Sequence, residues 1–478
     1  MKKGAVISLI LAWQSPSFAM TLQEYLKAVE ANNKSVQSLQ VSTEAVELAK
    51  DAGDIELVPV LTAEAGYIND KSPLSQFALL GSTETKTTSY SLGLGKKFST
   101  GTMASITAST YEIENTGIQG PQAGTLQKFG VGSLGVGLSQ SLWKDFFGNA
   151  TRLRWERQEA STAAAAGRFD LQKKLLLVNA EAAYWDYIYA NDNLKISQAS
   201  LERARRIEAW TRRRVNDGIS DRADLLSAQA LVSARQLQLI SAEDDMAAAK
   251  RNIRDYLEYK DDKALPEITG NISERRSLTS MVDGGGSGGR RVMALDAYLA
   301  SLDAKAKALE SRETEDQLRP DLVLSGSYNT NAVEKDMPEA TQNWTDTERP
   351  TTKVGLKLTY PFDMGPKNAA REAARKSALA SKLQSERKML ESESSWIELN
   401  RRYLEMSKRI EAATEISRLQ SAAAKAQTDL FNKGRSITAN VITAEEDAGT
   451  AELNLSKLKS EQRKMEAQGR LFIVVEEK

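Results

Sequence analysis

Two very long helical segments, 149–216 and 366–433, constrain the fold more than any other feature of the sequence. Each has about 68 residues and would extend about 100 Å at 1.5 Å per residue. Both end in a turn with a glycine suited to a left-handed backbone, at 216–218 and at 432–434. A returning helix follows each turn. The sequence therefore predicts two long antiparallel helical hairpins.

A seven-residue spacing of apolar side chains runs through the helical segments and places these side chains on one face. Many neighbouring positions are alanine, which lets helices approach closely and favours a sheet or tube of helices over a simple dimer. The spaced residues are Leu225, Val232, Leu239, Met246 and Ile253, then Leu383, Leu390, Ile397 and Leu404, and finally Val441, Ala448 and Leu455.

Residues 58–142 and 320–362 show a different pattern, in which apolar residues alternate with Gly, Ser and Thr. A period of two predicts β-strands with one apolar face and one small or polar face, as in a transmembrane β-barrel. The turn-like segment 99–101 predicts an extra hairpin in the first region, and hence six strands per chain. Four strands is the alternative, with residues 100–110 in an extracellular loop.

Aromatic residues cluster where the predicted strands meet the long helices. This position fits the aromatic girdle of a membrane interface. The predicted membrane-interface aromatics are Trp143, Phe146, Phe147, Tyr360 and Phe362.

The first residues resemble a secretory signal peptide. Two lysines precede an apolar stretch, and Ser17 and Ala19 fit a cleavage site after residue 19. We expect the mature chain to begin at Met20 and to carry no lipid, since no Cys is available. No run of about 18 apolar residues occurs elsewhere, which excludes a transmembrane helix from the mature chain.

The order of elements predicts an internal repeat: a helix, strands, a very long helix, a turn and a returning helix. We assign residues 20–259 to the first repeat and residues 291–478 to the second. Residues 260–290, with their Gly-rich run, form the inter-repeat linker, and their composition predicts a flexible, solvated segment.

Composition excludes most enzyme chemistry, because the chain has no His and no Cys. It therefore has no His-activated nucleophile and no imidazole or thiolate metal site. We predict no catalytic residue, no metal and no cofactor. The 64 basic and 64 acidic residues balance, so we expect no nucleic-acid partner.

Several segments resemble those of TolC-type outer-membrane efflux proteins, and the resemblance covers essentially the whole mature chain. The first strand-to-helix junction departs from the family by carrying Ser141 where a proline is usual. The matching segments are SQSL at 139–142, DFFG at 145–148, LTYPFDMG at 358–365, AYWDY at 183–187, GISDRADLL at 218–226 and GRSITANVI at 434–442.

The resemblance implies a mixed fold, with membrane β-barrel strands from each protomer and a coiled-coil periplasmic tunnel of very long antiparallel α-helices. It implies a homotrimer in the Gram-negative outer membrane, in contact with outer-membrane lipid. Such a channel-tunnel passively conducts substrates exported by an inner-membrane transporter and a periplasmic adaptor protein, in efflux or type I secretion. Physics also requires oligomerisation, because four or six strands cannot close a barrel alone.

The two helical turns resemble the family's periplasmic tips, which implies that Gly218, Ile219, Gly434 and Arg435 form the adaptor-docking end. The alternative is that the glycines only stop the helices. The alternative cargoes are a drug, a metal ion and a polypeptide.

The family's acidic constriction falls, by alignment on the second tip, at Asn440 and Thr443, which are uncharged here. Asp447 lies on the same helical face, seven and four residues further on. Three copies of Asp447 would form an anionic ring in the channel. The alternative is that Asp447 pairs with a Lys or Arg of a neighbouring helix.

A second function from another class is an exported coiled-coil scaffold or adhesin with no channel activity. The amphipathic strands argue against it, since a scaffold has no need for outward apolar side chains at every second position. A hydrolase with paired carboxylates lacks any convergent acidic motif.

Overall fold

A computed structural model of the protein describes residues 20–73, 77, 81–118, 123–260, 265–272, 276–282 and 291–475. The predicted signal peptide and the Gly-rich run of the linker lie outside these residues. The described chain forms two compact units. The helical unit contains the described residues of 1–43, 167–299 and 387–478, and the strand unit those of 44–166 and 300–386.

The helices follow the sequence-based bounds closely. The first long helix spans the predicted residues, and the second begins two residues earlier than predicted, at Met364. The described helices are α1 (Leu22–Asn32), α2 (Lys34–Ala52), α3 (Ala123–Gln127), α4 (Asn149–Asn216), α5 (Arg222–Leu257), α6 (Leu295–Gln317), α7 (Met337–Gln342), α8 (Met364–Asn432) and α9 (Thr438–Gln468).

Most strands lie in one antiparallel sheet of the strand unit, ordered β1-β2-β3-β4-β6-β8, with the short β7 also paired to β4. A separate two-stranded sheet, β5 with β9, lies in the helical unit. The described strands are β1 (Val60–Asp70), β2 (Glu84–Lys97), β3 (Thr102–Thr116), β4 (Lys128–Ser141), β5 (Arg291–Ala294), β6 (Asp321–Asn329), β7 (Ala332–Glu334), β8 (Thr351–Thr359) and β9 (Phe472–Val475).

The register of the large sheet collects apolar residues on one face, which we call the apolar sheet face. Leu94 of β2 lies opposite Ile106 of β3, and Ile106 lies opposite Val136 of β4. Because side chains alternate along a strand, this register sends the intervening Ser, Thr and Gly residues to the other face. The face continues through Leu61 of β1 and Leu324 and Leu356 of β6 and β8.

The predicted extra hairpin is present as β2 and β3. Its turn consists of Ser99, Thr100 and Gly101, closed by a hydrogen bond from the Phe98 amide to the Thr102 carbonyl at 2.8 Å. Gly101 has φ of +74°, the left-handed conformation that ends a three-residue hairpin turn. The described sheet therefore contains six long strands, together with β7.

The junction between β4 and α4 has an unusual backbone. Asp145, Phe147 and Gly148 all have positive φ, at 52°, 45° and 78°. The Asp145 carboxylate accepts a hydrogen bond from the Ala150 amide at 2.8 Å, so it satisfies a free amide of the first helical turn. The Asp145 amide in turn donates to the buried Asp316 carboxylate at 2.9 Å.

In the helical unit, the main core forms where α1, α4 and α5 meet. Its centre holds Tyr25, Tyr184 and Ile253, all essentially inaccessible to solvent. The Tyr25 and Tyr184 rings lie 5.6 Å apart between centroids. This core contains Met246 and Ile253 of the predicted seven-residue pattern.

The linker differs from its prediction. Its described part is only partly solvated, because Ile268, Leu278 and Val282 are buried in the helical unit while Gly270 and Asn271 are exposed. The Tyr184 hydroxyl also donates to the Thr269 carbonyl at 2.7 Å. Composition indicated flexibility, but apolar residues spaced along the linker pack against helices.

The second repeat, assigned to residues 291–478, was predicted to begin with a helix, and this is wrong for its first four residues. Residues Arg291–Ala294 form β5, which pairs antiparallel with β9 near the end of the chain, and α6 begins only at Leu295. Pairing with a distant strand outweighed the helical tendency of this short segment.

Candidate channel, docking and membrane surfaces

The apolar sheet face is exposed in the protomer. Leu92 is 52% exposed, Leu138 is 58% exposed and Leu356 is 63% exposed. A contiguous exposed apolar surface of this kind marks contact with a membrane or a partner. The reverse face carries small polar residues such as Ser91 and Ser109, which can line an aqueous space.

The predicted interface aromatics flank this sheet at the ends that join the long helices. Trp143, Phe146, Phe147 and Phe362 are exposed, and Tyr360 is half-buried. They form two pairs: the Phe146 and Phe147 rings lie 4.8 Å apart, and the Tyr360 and Phe362 rings 5.7 Å apart. Their role at a membrane interface stays a prediction.

Both helical turns adopt the same glycine-terminated cap. At the first, the amides of Gly218 and Ile219 donate to the carbonyls of Val215 and Arg214, at 3.1 and 2.7 Å. At the second, the amides of Gly434 and Arg435 donate to Phe431 and Leu430, at 2.9 and 2.8 Å. These are the two bonds of a Schellman motif, and both glycines have φ of +72°.

The two tips lie side by side in the helical unit. The Arg214 guanidinium lies 5.0 Å from the centroid of the Phe431 ring, and it donates to the Ser436 carbonyl at 3.4 Å. Phe431 is buried in a small core with Val441 and Ala228. The tips are thus tied together, while Gly218, Ile219, Gly434 and Arg435 are exposed at their ends.

The three constriction candidates form one exposed stripe on α9. Asn440, Thr443 and Asp447 are all exposed, whereas Val441 and Ala448 are buried on another face of the helix. Within the described protomer, Asp447 makes no ion pair. Its neighbours differ: Glu445 pairs with Arg203 at 2.6 Å, and Glu446 lies 3.8 Å from Arg235.

An apolar stripe on α8 has no partner in the described protomer. Leu390, Ile397 and Leu404, spaced by seven residues, are each about 60% exposed. We call these residues the α8 stripe. A helix normally buries such a stripe against another helix, so the α8 stripe indicates contact with a further chain.

A buried ionic cluster in the helical unit was missed by sequence reasoning. Arg463 and Glu466 of α9 pair at 2.7 Å and are almost fully buried. Buried Glu181 of α4 lies between Arg276 of the linker, at 3.3 Å, and Arg470, at 2.9 Å. Burial raises the pKa of Glu466 to about 7, although Arg463 acts in the opposite direction. The cluster ties the linker to α4 and α9.

The described residues contain no group of acidic side chains able to hold a metal ion. Among the described helices, none is long and apolar enough to cross a membrane.

Comparison with known structures identifies the class of fold. VceC from Vibrio cholerae superposes with a TM-score of 0.65 at 14% identity, covering 94% of this chain and 95% of that chain. OprN gives 0.66 at 17% identity, covering 94% and 89%. MtrE from Neisseria gonorrhoeae gives 0.62 at 17% identity, covering 94% and 88%. At these identities the likeness establishes the fold, which is that of the TolC-type channel-tunnels.

The sequence also matches a family. Residues 25–257, just under half of the chain, match the profile of the outer membrane efflux protein family. The family consists of outer-membrane channels rather than enzymes. No curated protein matches the sequence.

Proposed function

We propose that the chain is one protomer of a homotrimeric outer-membrane channel-tunnel. In this role it passively conducts substrates that an inner-membrane transporter delivers through a periplasmic adaptor, in efflux or type I secretion. The observation that carries the proposal is the exposed apolar sheet face, backed by a reverse face of small polar residues. This arrangement suits a wall with lipid on one side and water on the other.

The edges of the sheet require further copies of the chain. Among the described strands, β1 pairs only with β2, and β8 pairs only with β6. An unpaired strand edge leaves backbone amides and carbonyls unsatisfied, which costs several kcal/mol per group in hydrocarbon. The edge of β8 therefore pairs with β1 of a neighbouring protomer, and repetition of this contact closes the sheet.

The α8 stripe supports the same assembly in the helical unit. Its leucine and isoleucine side chains gain burial when they pack against a helix of the next protomer. At about 25 cal/mol per Å² of apolar surface, each fully buried side chain contributes about 1.5–3 kcal/mol.

The exposed tips are the adaptor-docking end in this proposal. They join two helical hairpins into one surface through Arg214 and Phe431, and each presents an exposed apolar residue, Ile219 or Ile437. Exposed apolar side chains at a rigid helix end suit recognition by another protein.

The assembly can be tested with Ile397→Glu and its control Ser395→Glu. Both positions are exposed on α8, but residue 395 lies on a different helical face from the α8 stripe. We expect detergent-extracted Ile397→Glu to lose the trimer, because a carboxylate cannot be buried in an apolar seam. The Ser395→Glu variant should remain trimeric. A stable trimer in both variants would contradict this packing, and a protein that needs no detergent would support the scaffold alternative.

A further inference from the structure

We infer that three copies of this chain close an 18-stranded barrel, in which the β2–β3 hairpin of each protomer forms part of the wall. The inference rests on the proposed trimer, and it concerns the width of the outer-membrane mouth. Each protomer contributes the six long strands β1, β2, β3, β4, β6 and β8. The family whose segments this chain resembles usually contributes four.

The hairpin is inserted within the sheet, not attached to its edge. β2 pairs with β1 from Val60 to Asp70, and β3 pairs with β4 from Thr102 to Glu114. The hairpin therefore separates β1 from β4 along their whole paired length. It cannot leave the wall without breaking both ladders, so the perimeter must include it.

The hairpin also continues both faces of the wall. Leu94 and Ile106 lie in one cross-strand row with Leu61 and Val136, so the apolar sheet face passes across it without interruption. On the reverse face, residues in the middle of the hairpin are small, as in the pair of Ser91 with Ser109 and the pair of Gly93 with Thr107. Small side chains leave the space inside the wall open.

At the end of the sheet where the long helices begin, β1, β4, β6 and β8 each connect to a helix. At the same end, β2 and β3 connect only to each other, through the turn Ser99–Gly101. This turn packs against the β4–α4 junction. A Cβ on Gly148 would lie 1.7 Å from the Ser99 carbonyl oxygen, and one on Gly101 would lie 2.9 Å from the Asp145 carbonyl oxygen. Both glycines are therefore needed for this close approach.

The strand count fixes the width of the barrel. With strands about 4.8 Å apart and tilted by about 40°, 18 strands give a backbone radius of about 18 Å, whereas 12 strands give about 12 Å. Equivalent positions in three protomers form a triangle, whose sides are about 31 Å for 18 strands and about 21 Å for 12. The inferred mouth is about one and a half times as wide as a four-strand version of this chain would form.

Distances between spin labels can decide the count, because the chain has no native Cys. The Ser139→Cys variant places one nitroxide per protomer on the reverse face of β4, in the full-length detergent-extracted protein. A matched variant also lacks residues 84–116, which removes β2 and β3 and leaves β1 and β4 joined by a loop. The label adds the same inward displacement to both proteins, so the difference between them is the decisive quantity.

We expect the distance to shorten by about 10 Å on deletion, the difference between 18 and 12 strands. If the deleted protein does not fold, the full-length distance decides alone. A full-length trimer with a distance of about 21 Å, as for 12 strands, overturns the inference but not the proposed channel. A full-length protein that is monomeric in detergent, and so shows no label-to-label distance, overturns both.

Discussion

Replacement of the tip glycine Gly434 tests whether the conformation of this turn serves docking. We compare Gly434→Val with Gly434→Asn, because asparagine tolerates the left-handed backbone far better than a β-branched residue. A Cβ at this position meets no atom within 4 Å, so the Cβ of either variant creates no clash inside the protomer. We therefore expect each substitution to act mainly on the backbone of the turn.

The expected cost follows from that geometry. The φ of +72° costs a residue with a Cβ about 1–2 kcal/mol, and more when the side chain is β-branched. If the turn relaxes instead, it loses the bonds from Gly434 to Phe431 and from Arg435 to Leu430, each worth about 0.5–1.5 kcal/mol. A bias of 1.4 kcal/mol changes the ratio of turn conformations about tenfold.

Export by cells that carry each variant is the assay, with trimer content of the outer membrane as the control. We expect Gly434→Val to reduce export at normal trimer levels, and Gly434→Asn to retain most of it. The same substitutions at Gly218 should behave alike, since its cap is identical. Normal export by both valine variants would refute the assignment and leave the glycines as helix stops.

Three further predictions concern other parts of the chain. Gly148→Ala should lower the temperature at which the trimer dissociates by more than Gly434→Ala does. Both substitutions place a Cβ on a left-handed residue, but only the Cβ at residue 148 would lie 1.7 Å from a carbonyl oxygen, that of Ser99. Equal dissociation temperatures would argue against the packed hairpin turn. Asp447→Asn should reduce cation selectivity if the three side chains form a ring, and unchanged reversal potentials in a salt gradient would reject that ring. Burial raises the pKa of Glu466 from 4.5 to about 7, so folding favours its neutral form and the free energy of unfolding should fall as pH rises from 4.5 to about 7. Glu466→Gln should remove this pH dependence of the free energy of unfolding. The same pH dependence in the variant would count against the burial.

The sequence pattern was sufficient to predict those helices and strands that are determined by residues close together in the chain. The bounds of α4 are those predicted, because no proline interrupts it and Gly218 ends it. The β2–β3 hairpin also follows from local signals, namely two alternating runs separated by a turn that ends in Gly101. These features need no knowledge of distant contacts.

Contacts between distant residues could not be predicted in the same way. Glu181, Arg463 and Glu466 lie in helices rich in charge, where the sequence gives no sign that these charges are buried and the others are not. Only the packing of α9 against α4 and the linker distinguishes them. The β5–β9 pair had a weak signal, since the run Phe472–Val475 is aromatic and β-branched. Its partner carries no such signal.

At the candidate site too, local features were predicted and contacts between distant residues were not. The tips were predicted from their glycines, and the structure adds that Arg214 and Phe431 join them. The exposure of Asp447 and the pairing of Glu445 could not be predicted from the sequence. A shift of one residue along α9 would bring a different carboxylate to Arg203.

Single-channel recording in planar lipid bilayers tests the central claim most directly. The protein is extracted from outer membranes with detergent, and the trimeric fraction is added to the bilayer. We predict discrete current steps from this fraction and none from monomeric Ile397→Glu, because only a closed assembly encloses a water-filled path. A purified trimer that inserts into the bilayer and never passes current in discrete steps would contradict the account.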